Sequence, residues 1–117
     1  MGFVRIAALG EIPEGEVRAY DLPSGRVAVA HVEARLFAFD DSCTHAGCAL
    51  SEGSFDDREA TIECPSDGSV FDVETGEPLT GPAQDPVAVH GARLVDGWVE
   101  VTDEPTVTDW PGPRRPE

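Results

Sequence analysis

Two short segments of this chain place several potential metal ligands close together. The first reads Cys43-Thr44-His45-Ala46-Gly47-Cys48, and the second reads Cys64-Pro65-Ser66-Asp67-Gly68. Each begins with a cysteine and offers a second potential ligand two or three residues later. Glycine lets the backbone turn tightly around a metal, and thiolates suit an iron–sulfur centre or zinc. Two such loops facing each other can supply four ligands to a metal cluster.

The rest of the chain has the pattern of short antiparallel β-strands. Alternation of apolar and polar residues, with β-branched and aromatic side chains, is typical of strands. The pattern predicts strands at 3–9, 16–22, 26–32, 35–39, 60–63, 69–73, 87–90, 92–95 and 98–101. Residues 40–81 are expected to form a loop-built site between these strands, and no segment predicts a helix.

The charge of the chain argues against two classes of partner. Its 117 residues include 23 acidic residues against eight arginines and no lysine, which gives a formal net charge of −15. Nucleic acid and anionic membrane surfaces both need positive charge opposite their phosphates. We therefore expect neither as a partner, and expect instead a protein with a basic patch. General solubility or a saline cytoplasm would account for the acidity equally well.

The length and the short apolar runs predict one cytoplasmic domain. A chain of 117 residues fits a single hydrophobic core. No stretch approaches the roughly 20 apolar residues of a membrane span, and residues 1–5 do not resemble a signal peptide. Three cysteines in a short cytosolic chain favour metal or redox chemistry over a disulfide scaffold.

The two cysteine motifs belong to a longer ordered pattern. The first continues through Leu50 to Gly53, and the second opens at Glu63 and continues through Ser69 to Phe71-Asp72. A third segment reads Thr75-Gly76-Glu77-Pro78-Leu79, followed by Gly81-Pro82-Ala83. In this pattern the chain resembles the Rieske ferredoxin family over nearly its whole length.

The resemblance implies an all-β Rieske fold, with an antiparallel β-sandwich base and a small cluster-binding subdomain. The expected boundaries are a single Rieske domain at 1–102 and a C-terminal tail at 103–117. The cluster-binding subdomain is expected at about 41–82.

The resemblance also implies a [2Fe–2S] cluster held by two cysteines and two histidines. By position, Cys43 and Cys64 would hold the inner iron and His45 the outer one. The family's fourth ligand is a histidine at position 67, where this chain has Asp67. We predict that the Asp67 carboxylate binds iron instead and lowers the reduction potential. Two alternatives remain: a Rieske fold that has lost its cluster, and an aspartate introduced to probe the site.

Cys48 and Ser66 mark a second departure from the family. In its high-potential members these two positions are cysteines joined by a disulfide, which Ser66 prevents here. We expect Cys48 to pack as a small apolar residue. The alternative is that Cys48 lies close to the cluster and binds it as a substitute ligand. Because it lacks this bridge, the chain is more similar to the ferredoxins that serve oxygenases than to the membrane-anchored respiratory proteins of the family.

Five further residues have expected roles near or outside the loops. His31 and His90 lie in strand patterns and are expected to be structural or surface residues. The resemblance implies that Ser69 hydrogen-bonds a cluster sulfide. Leu50 and Phe71 are expected to cover the cluster or to belong to the core.

The resemblance implies a one-electron carrier rather than an enzyme. Electrons would arrive from a flavin-dependent reductase and leave to an oxygenase through the edge near His45 and Asp67. Both partners would present basic docking patches to a monomer or weak oligomer. One alternative is a cluster-free Rieske-fold interaction subunit of a reductase or oxygenase complex. Another is a mononuclear zinc or iron site formed by Cys43, His45, Cys64 and Asp67.

Overall fold

The computed structural model describes residues 2–23, 25–44 and 47–103. These residues form eleven strands: β1 (Phe3–Ala8), β2 (Val17–Leu22), β3 (Gly25–Val32), β4 (Arg35–Asp40), β5 (Ser54–Asp56), β6 (Thr61–Glu63), β7 (Val70–Asp72), β8 (Pro78–Thr80), β9 (Val89–His90), β10 (Ala92–Val95) and β11 (Trp98–Thr102). Two short 3-10 turns lie at Leu9–Glu11 and Leu50–Glu52.

The strands form three antiparallel sheets. Their strand orders are β1-β11-β10, β2-β3-β4-β9 and β5-β6-β7-β8. The first two sheets are built from both ends of the chain and form the base of the molecule. The third sheet uses only strands between residues 54 and 80, so it is a separate unit inserted between β4 and β9.

Strand β3 is buried on both faces and links two parts of the core. Val27 and Val29 belong to a cluster that includes Val99 and Val101 of the first sheet. Residues 28 and 30 are both alanines, point to the opposite face, and belong to a second cluster that reaches the third sheet. Continuous burial from Val27 to Ala30 follows from this position between two apolar layers.

The third sheet brings the cysteine loops against the second core cluster. Ile62 on β6 pairs with Phe71 on β7, and both side chains are at most 1% exposed. Cys43, Leu50 and Cys64 belong to the same buried cluster. The cysteines are therefore placed at the boundary between the base and the third sheet.

The all-β fold class predicted from the sequence is confirmed, because the described residues form strands and two 3-10 turns. The expectation that residues 40–81 contain only loops and two short strands is wrong. Strands β5 and β8 also lie there, and three residues are too few for a visible alternation. Residues 104–117, most of the predicted tail, lie outside the described residues. Among the described residues, no helix has the length and apolar character that a membrane crossing requires.

Candidate metal centre

The first loop, residues 43–48, leads from β4 toward the 3-10 turn at Leu50–Glu52. The Cys43 N–H donates to the Cys48 carbonyl at 2.9 Å, and the Gly47 N–H donates to the Cys43 carbonyl at 2.8 Å. Gly47 has a φ of 73°, a left-handed conformation in which a Cβ would be strained. The two hydrogen bonds close the loop and hold Cys43 and Cys48 side by side.

The second loop, residues 64–69, joins β6 to β7 and repeats this arrangement. The Cys64 N–H donates to the Ser69 carbonyl at 2.7 Å, and the Gly68 N–H donates to the Cys64 carbonyl at 3.1 Å. Gly68 has a φ of 80°. Both loops therefore begin with a cysteine and close through the same pair of backbone hydrogen bonds.

Two residues beside the loops anchor them. The Asp41 carboxylate is fully buried beside Arg26 at 3.0 Å and accepts hydrogen bonds from the Ser51 N–H at 2.6 Å and hydroxyl at 2.8 Å. A Cβ on Gly53 would lie 1.8 Å from the Glu63 carbonyl oxygen, so this close approach requires glycine. The sequence alone predicts no role for Asp41, and Gly53 stands out in it only as part of the family pattern.

The sulfur atoms of all three cysteines meet between the loops. The Sγ atoms of Cys43, Cys48 and Cys64 lie within 4.8 Å of one another. Cys43 and Cys64 are 2% exposed, and Cys48 is half-buried. Cys48 and Cys64 are paired as a disulfide, with their Cα atoms 7.0 Å apart. The Ser66 N–H also donates to the Cys64 Sγ at 3.4 Å.

Cys48 packs against the core, as predicted. Its sulfur also contacts a second cysteine. The family pattern offers only position 66 as a disulfide partner of Cys48, and the structure pairs Cys48 with Cys64 instead. The curvature of the two loops brings these sulfurs together across 16 residues of sequence. The presence of a third cysteine in the motifs was the signal that pointed to such a contact.

Asp67 lies beside the sulfurs. Its Oδ2 and Oδ1 atoms are 3.7 and 4.0 Å from the Cys43 Sγ, and its Oδ1 accepts a hydrogen bond from the Ser69 N–H at 2.9 Å. Three of the four predicted ligands, Cys43, Cys64 and Asp67, are therefore together in one site. The fourth, His45, lies outside the described residues.

The surroundings of the cysteines fit an iron–sulfur cluster. Leu50 and Phe71 are at most 1% exposed and belong to the same cluster as Cys43 and Cys64, which confirms that they line the core behind the site. An apolar wall limits solvent access, and an N–H directed at sulfur stabilises thiolate charge. The buried Ser69 hydroxyl oxygen accepts the Ala83 N–H at 2.9 Å; its bond to a cluster sulfide stays a prediction.

A groove opens to the surface beside Cys64. Its volume is about 290 Å³, and the residues that line it include Glu52 and Glu63. Carboxylates at the mouth of a groove raise the local concentration of cations. The groove therefore lies beside the site and has acidic residues in its lining.

The two described histidines have structural roles, as predicted. His31 Nδ1 lies 2.8 Å from the Ile12 carbonyl oxygen. His90 Nδ1 lies 2.8 Å from the Thr102 carbonyl oxygen, and its Nε2 lies 2.7 Å from Asp40 Oδ1. Burial lowers the pKa of His90, but the hydrogen bonds to Asp40 and Thr102 outweigh it, so the pKa is raised overall.

Known proteins similar to this chain are ferredoxin components of dioxygenase systems. The anthranilate 1,2-dioxygenase ferredoxin subunit of Burkholderia cepacia is 38% identical over 96 residues, which cover 82% of this chain and 87% of that protein. The ferredoxin component of the naphthalene 1,2-dioxygenase system of Pseudomonas aeruginosa is 36% identical over 98 residues, which cover 80% of this chain and 92% of that protein. Both are named as ferredoxins, which supports an electron carrier rather than an enzyme.

The solved structures similar to this chain also include ferredoxins of a dioxygenase. The ferredoxin of carbazole 1,9a-dioxygenase from Nocardioides aromaticivorans IC177 superposes with a TM-score of 0.85 at 29% identity, covering 89% of this chain and 100% of that one. A chain from the complex of reduced oxygenase and oxidized ferredoxin in carbazole 1,9a-dioxygenase superposes with a TM-score of 0.84 at 31% identity, covering 91% and 97%. A family model described as the Rieske [2Fe-2S] domain matches residues 2–93. This chain therefore belongs to the Rieske [2Fe–2S] domain family, whose cofactor is a [2Fe–2S] cluster.

Proposed function

We propose that this chain carries one electron at a time from a flavin-dependent reductase to an oxygenase. When bound, a [2Fe–2S] cluster accepts and releases a single electron. The observation that supports this role best is the pair of matching loops, which place buried Cys43 and Cys64 in one site. The similar ferredoxin subunits of dioxygenases support the choice of an oxygenase as the acceptor.

Cys43 and Cys64 would hold one iron of the cluster, and His45 and Asp67 would hold the other. The position of the Asp67 carboxylate beside Cys43 supports it as a donor of this site. A carboxylate is a harder donor than imidazole but also binds iron. Its negative charge would make the cluster harder to reduce than one with two histidines.

The exposed parts of the two loops form the docking surface in this proposal. Thr44, Gly47, Pro65 and Ser66 are exposed, whereas the cysteines that they adjoin are buried. A partner that covers these residues comes within a few side-chain layers of the sulfurs. The net charge of −15 favours partners with basic patches, because opposite charges steer the encounter.

The remaining parts of the proposal concern organisation and location. Residues 1–102 would form one Rieske domain, with residues 41–82 as its cluster-binding unit and 103–117 as a tail. The third sheet lies inside 41–82, which supports that division. The protein would act in the cytoplasm as a monomer or weak oligomer, where a reducing environment would open the Cys48–Cys64 pair and free Cys64 to bind iron.

The cluster is tested on full-length protein purified without oxygen. Visible absorption, iron and acid-labile sulfide are measured on one sample, followed by a coulometric titration. We expect about two irons and two sulfides per chain, with bands that bleach on uptake of about one electron. A folded protein without visible absorption or iron would contradict the proposal.

Docking is tested by the salt dependence of electron transfer. Chemically reduced protein is mixed in a stopped-flow instrument with the oxygenase component of an aromatic-ring dioxygenase. The rate of reoxidation should fall as ionic strength rises, because screening weakens the attraction between opposite charges. A rate that rises with salt would contradict docking through basic patches.

A second candidate function is a cluster-free interaction subunit. It is favoured by Asp67 in place of histidine and by the pairing of Cys48 with Cys64, which occupies a predicted ligand. Such a protein would bind a reductase or oxygenase without absorbing visible light. The metal and sulfide assay separates it from the electron carrier.

A further inference from the structure

The site contains more sulfur donors than the proposed cluster uses. Cys43 and Cys64 are cluster ligands in the proposal, but the Sγ of Cys48 lies within 4.8 Å of both. The Asp67 carboxylate lies 3.7 Å from the Cys43 Sγ on the same side of the loops. Three sulfurs thus converge on a single small volume, and the Asp67 carboxylate adjoins it beside Cys43.

The separation of Cys43 and Asp67 matches one edge of a tetrahedron around one metal ion. Zinc bonds of about 2.3 Å to sulfur and 2.1 Å to oxygen place two sulfur ligands about 3.8 Å apart, and a sulfur and an oxygen about 3.6 Å apart. The observed distance from Cys43 Sγ to Asp67 Oδ2 is 3.7 Å. After reduction of the Cys48–Cys64 pair, side-chain rotation would bring sulfurs that lie within 4.8 Å of one another to these positions.

The Cα separation of Cys48 and Cys64 also suits an ion between them. It is 7.0 Å, just beyond the range of about 4.4–6.8 Å usual for disulfides. An ion between two thiolates separates their sulfurs, so the same backbone accommodates it without closing further. Thiolate donors select zinc and similar ions over magnesium or calcium.

We propose that, in the absence of the cluster, this site binds one divalent ion of the zinc class through Cys43, Cys48, Cys64 and Asp67. Four anionic donors around a divalent ion carry a net charge of −2. The Ser66 N–H on Cys64 and the Ser69 N–H on Asp67 partly offset it. The groove beside Cys64, with Glu52 and Glu63 in its lining, adds negative charge that attracts cations to this side of the site.

Ion binding requires reduction of the Cys48–Cys64 pair. With dithiothreitol as the reductant, its two thiols are oxidised to a cyclic disulfide while the protein disulfide breaks. The Cys48 and Cys64 sulfurs each receive one electron and one proton. Binding of the ion then releases the protons of the three cysteine thiols to solvent.

This inference goes beyond the electron-carrier proposal and assigns different tasks to two residues. Cys48 is a ligand of the single ion and not of the cluster. Asp67 serves both states, and His45 is a predicted ligand of the cluster only. A Cys48 variant therefore separates the two kinds of binding.

The test uses Co²⁺ as a spectroscopic probe for the full-length, cluster-free protein. The protein is reduced with dithiothreitol, freed of it by anaerobic gel filtration, and titrated with Co²⁺. Wild-type protein should bind one ion, with the charge-transfer intensity of three thiolates. Cys48→Ser should retain about two thirds of this intensity and lose at least about tenfold in affinity, because it lacks a ligand.

Three further samples make the titration decisive. Ser42→Ala, an exposed change beside Cys43, should match wild type, and Cys48→Ala should reproduce the serine variant. Asp67→Asn should weaken Co²⁺ binding while keeping the three-thiolate band. Zn²⁺ should displace Co²⁺ from wild type in equimolar amounts. Circular dichroism verifies that each variant is folded.

Two results would overturn the inference. One is equal Co²⁺ affinity and band intensity in wild type and Cys48→Ser, and the other is loss of the cluster from Cys48→Ser after reconstitution with iron and sulfide. Retention of iron and sulfide by Cys48→Ser supports the division of tasks. Failure of the wild-type protein to assemble a cluster would refute the electron-carrier proposal while leaving the Co²⁺ result intact.

Discussion

The two loops of the metal centre share a backbone arrangement but differ in what their side chains do. In residues 43–48 and 64–69 the first N–H donates to the last carbonyl, and the glycine N–H donates to the carbonyl of the leading cysteine. The last residue of the first loop is Cys48, whose sulfur contacts Cys64. The last residue of the second loop is Ser69, whose hydroxyl accepts the Ala83 N–H.

This difference shows that different residues of each loop determine its backbone conformation and its metal ligands. A leading cysteine and a glycine with positive φ are common to both loops. The additional potential metal ligands lie at the other positions, where the second loop has Asp67 and the first has Cys48. Substitutions at shared positions should therefore affect both loops alike, whereas those at the other positions should change one property at a time.

The largest effect is expected from the shared leading cysteines. Cys43→Ala and Cys64→Ala should each abolish the cluster, because each substitution removes a buried thiolate ligand of the iron. Iron, sulfide and visible absorption should fall to background in both, while Ser42→Ala keeps the wild-type values. A native spectrum in either variant would defeat the assignment of that cysteine.

The next effect distinguishes the loop anchor from the loop turn. At Gly53 an added Cβ meets the Glu63 carbonyl oxygen at 1.8 Å, whereas at Gly68 the nearest atom lies 3.7 Å away. Gly53→Ala should lower the free energy of unfolding by more than about 2 kcal/mol through overpacking. Gly68→Ala should lower it by about 1–2 kcal/mol through strain at positive φ. Urea unfolding measures both, and the reverse order would show that the anchor is not the tighter contact.

A smaller effect is expected from Asp67→His, which restores the family's histidine. The exchange of an anion for a neutral, titratable ligand should raise the reduction potential and increase its dependence on pH. Redox titrations from pH 6 to 9 measure both properties. Asp57→His, an exposed change outside the loops, is the control for the loss of one negative charge. An unchanged potential in cluster-loaded Asp67→His would refute Asp67 as a ligand.

The smallest effect lies in the base and leaves both loops untouched. The pKa of His90 is raised because its hydrogen bonds to Asp40 and Thr102 outweigh burial. The resulting stabilisation should be complete below about pH 6.5, the unfolded value, and should fade as pH rises through the folded pKa. Urea unfolding across this range should show the loss in wild type and a weaker dependence in Asp40→Asn. An identical dependence in both would exclude the Asp40–His90 pair as its source.

The sequence alone determined the fold class, the two loops and the family. The strands at 26–32 and 35–39 are visible in the sequence because β3 and β4 are long enough to show a run of β-branched and aromatic residues. Cys43 and Cys64 were recognised because each opens a motif whose glycine permits a tight turn. These are local properties, and local spacing is what a sequence displays.

Only the tertiary structure decided which side chains meet. Strands β5 and β8 are three residues long, so their pairing depends on neighbours rather than on their own pattern. The contact of Cys48 with Cys64 and the approach of Gly53 to Glu63 join residues on different loops and strands. Such distances depend on how separate segments pack against the core, and no spacing within either segment encodes them.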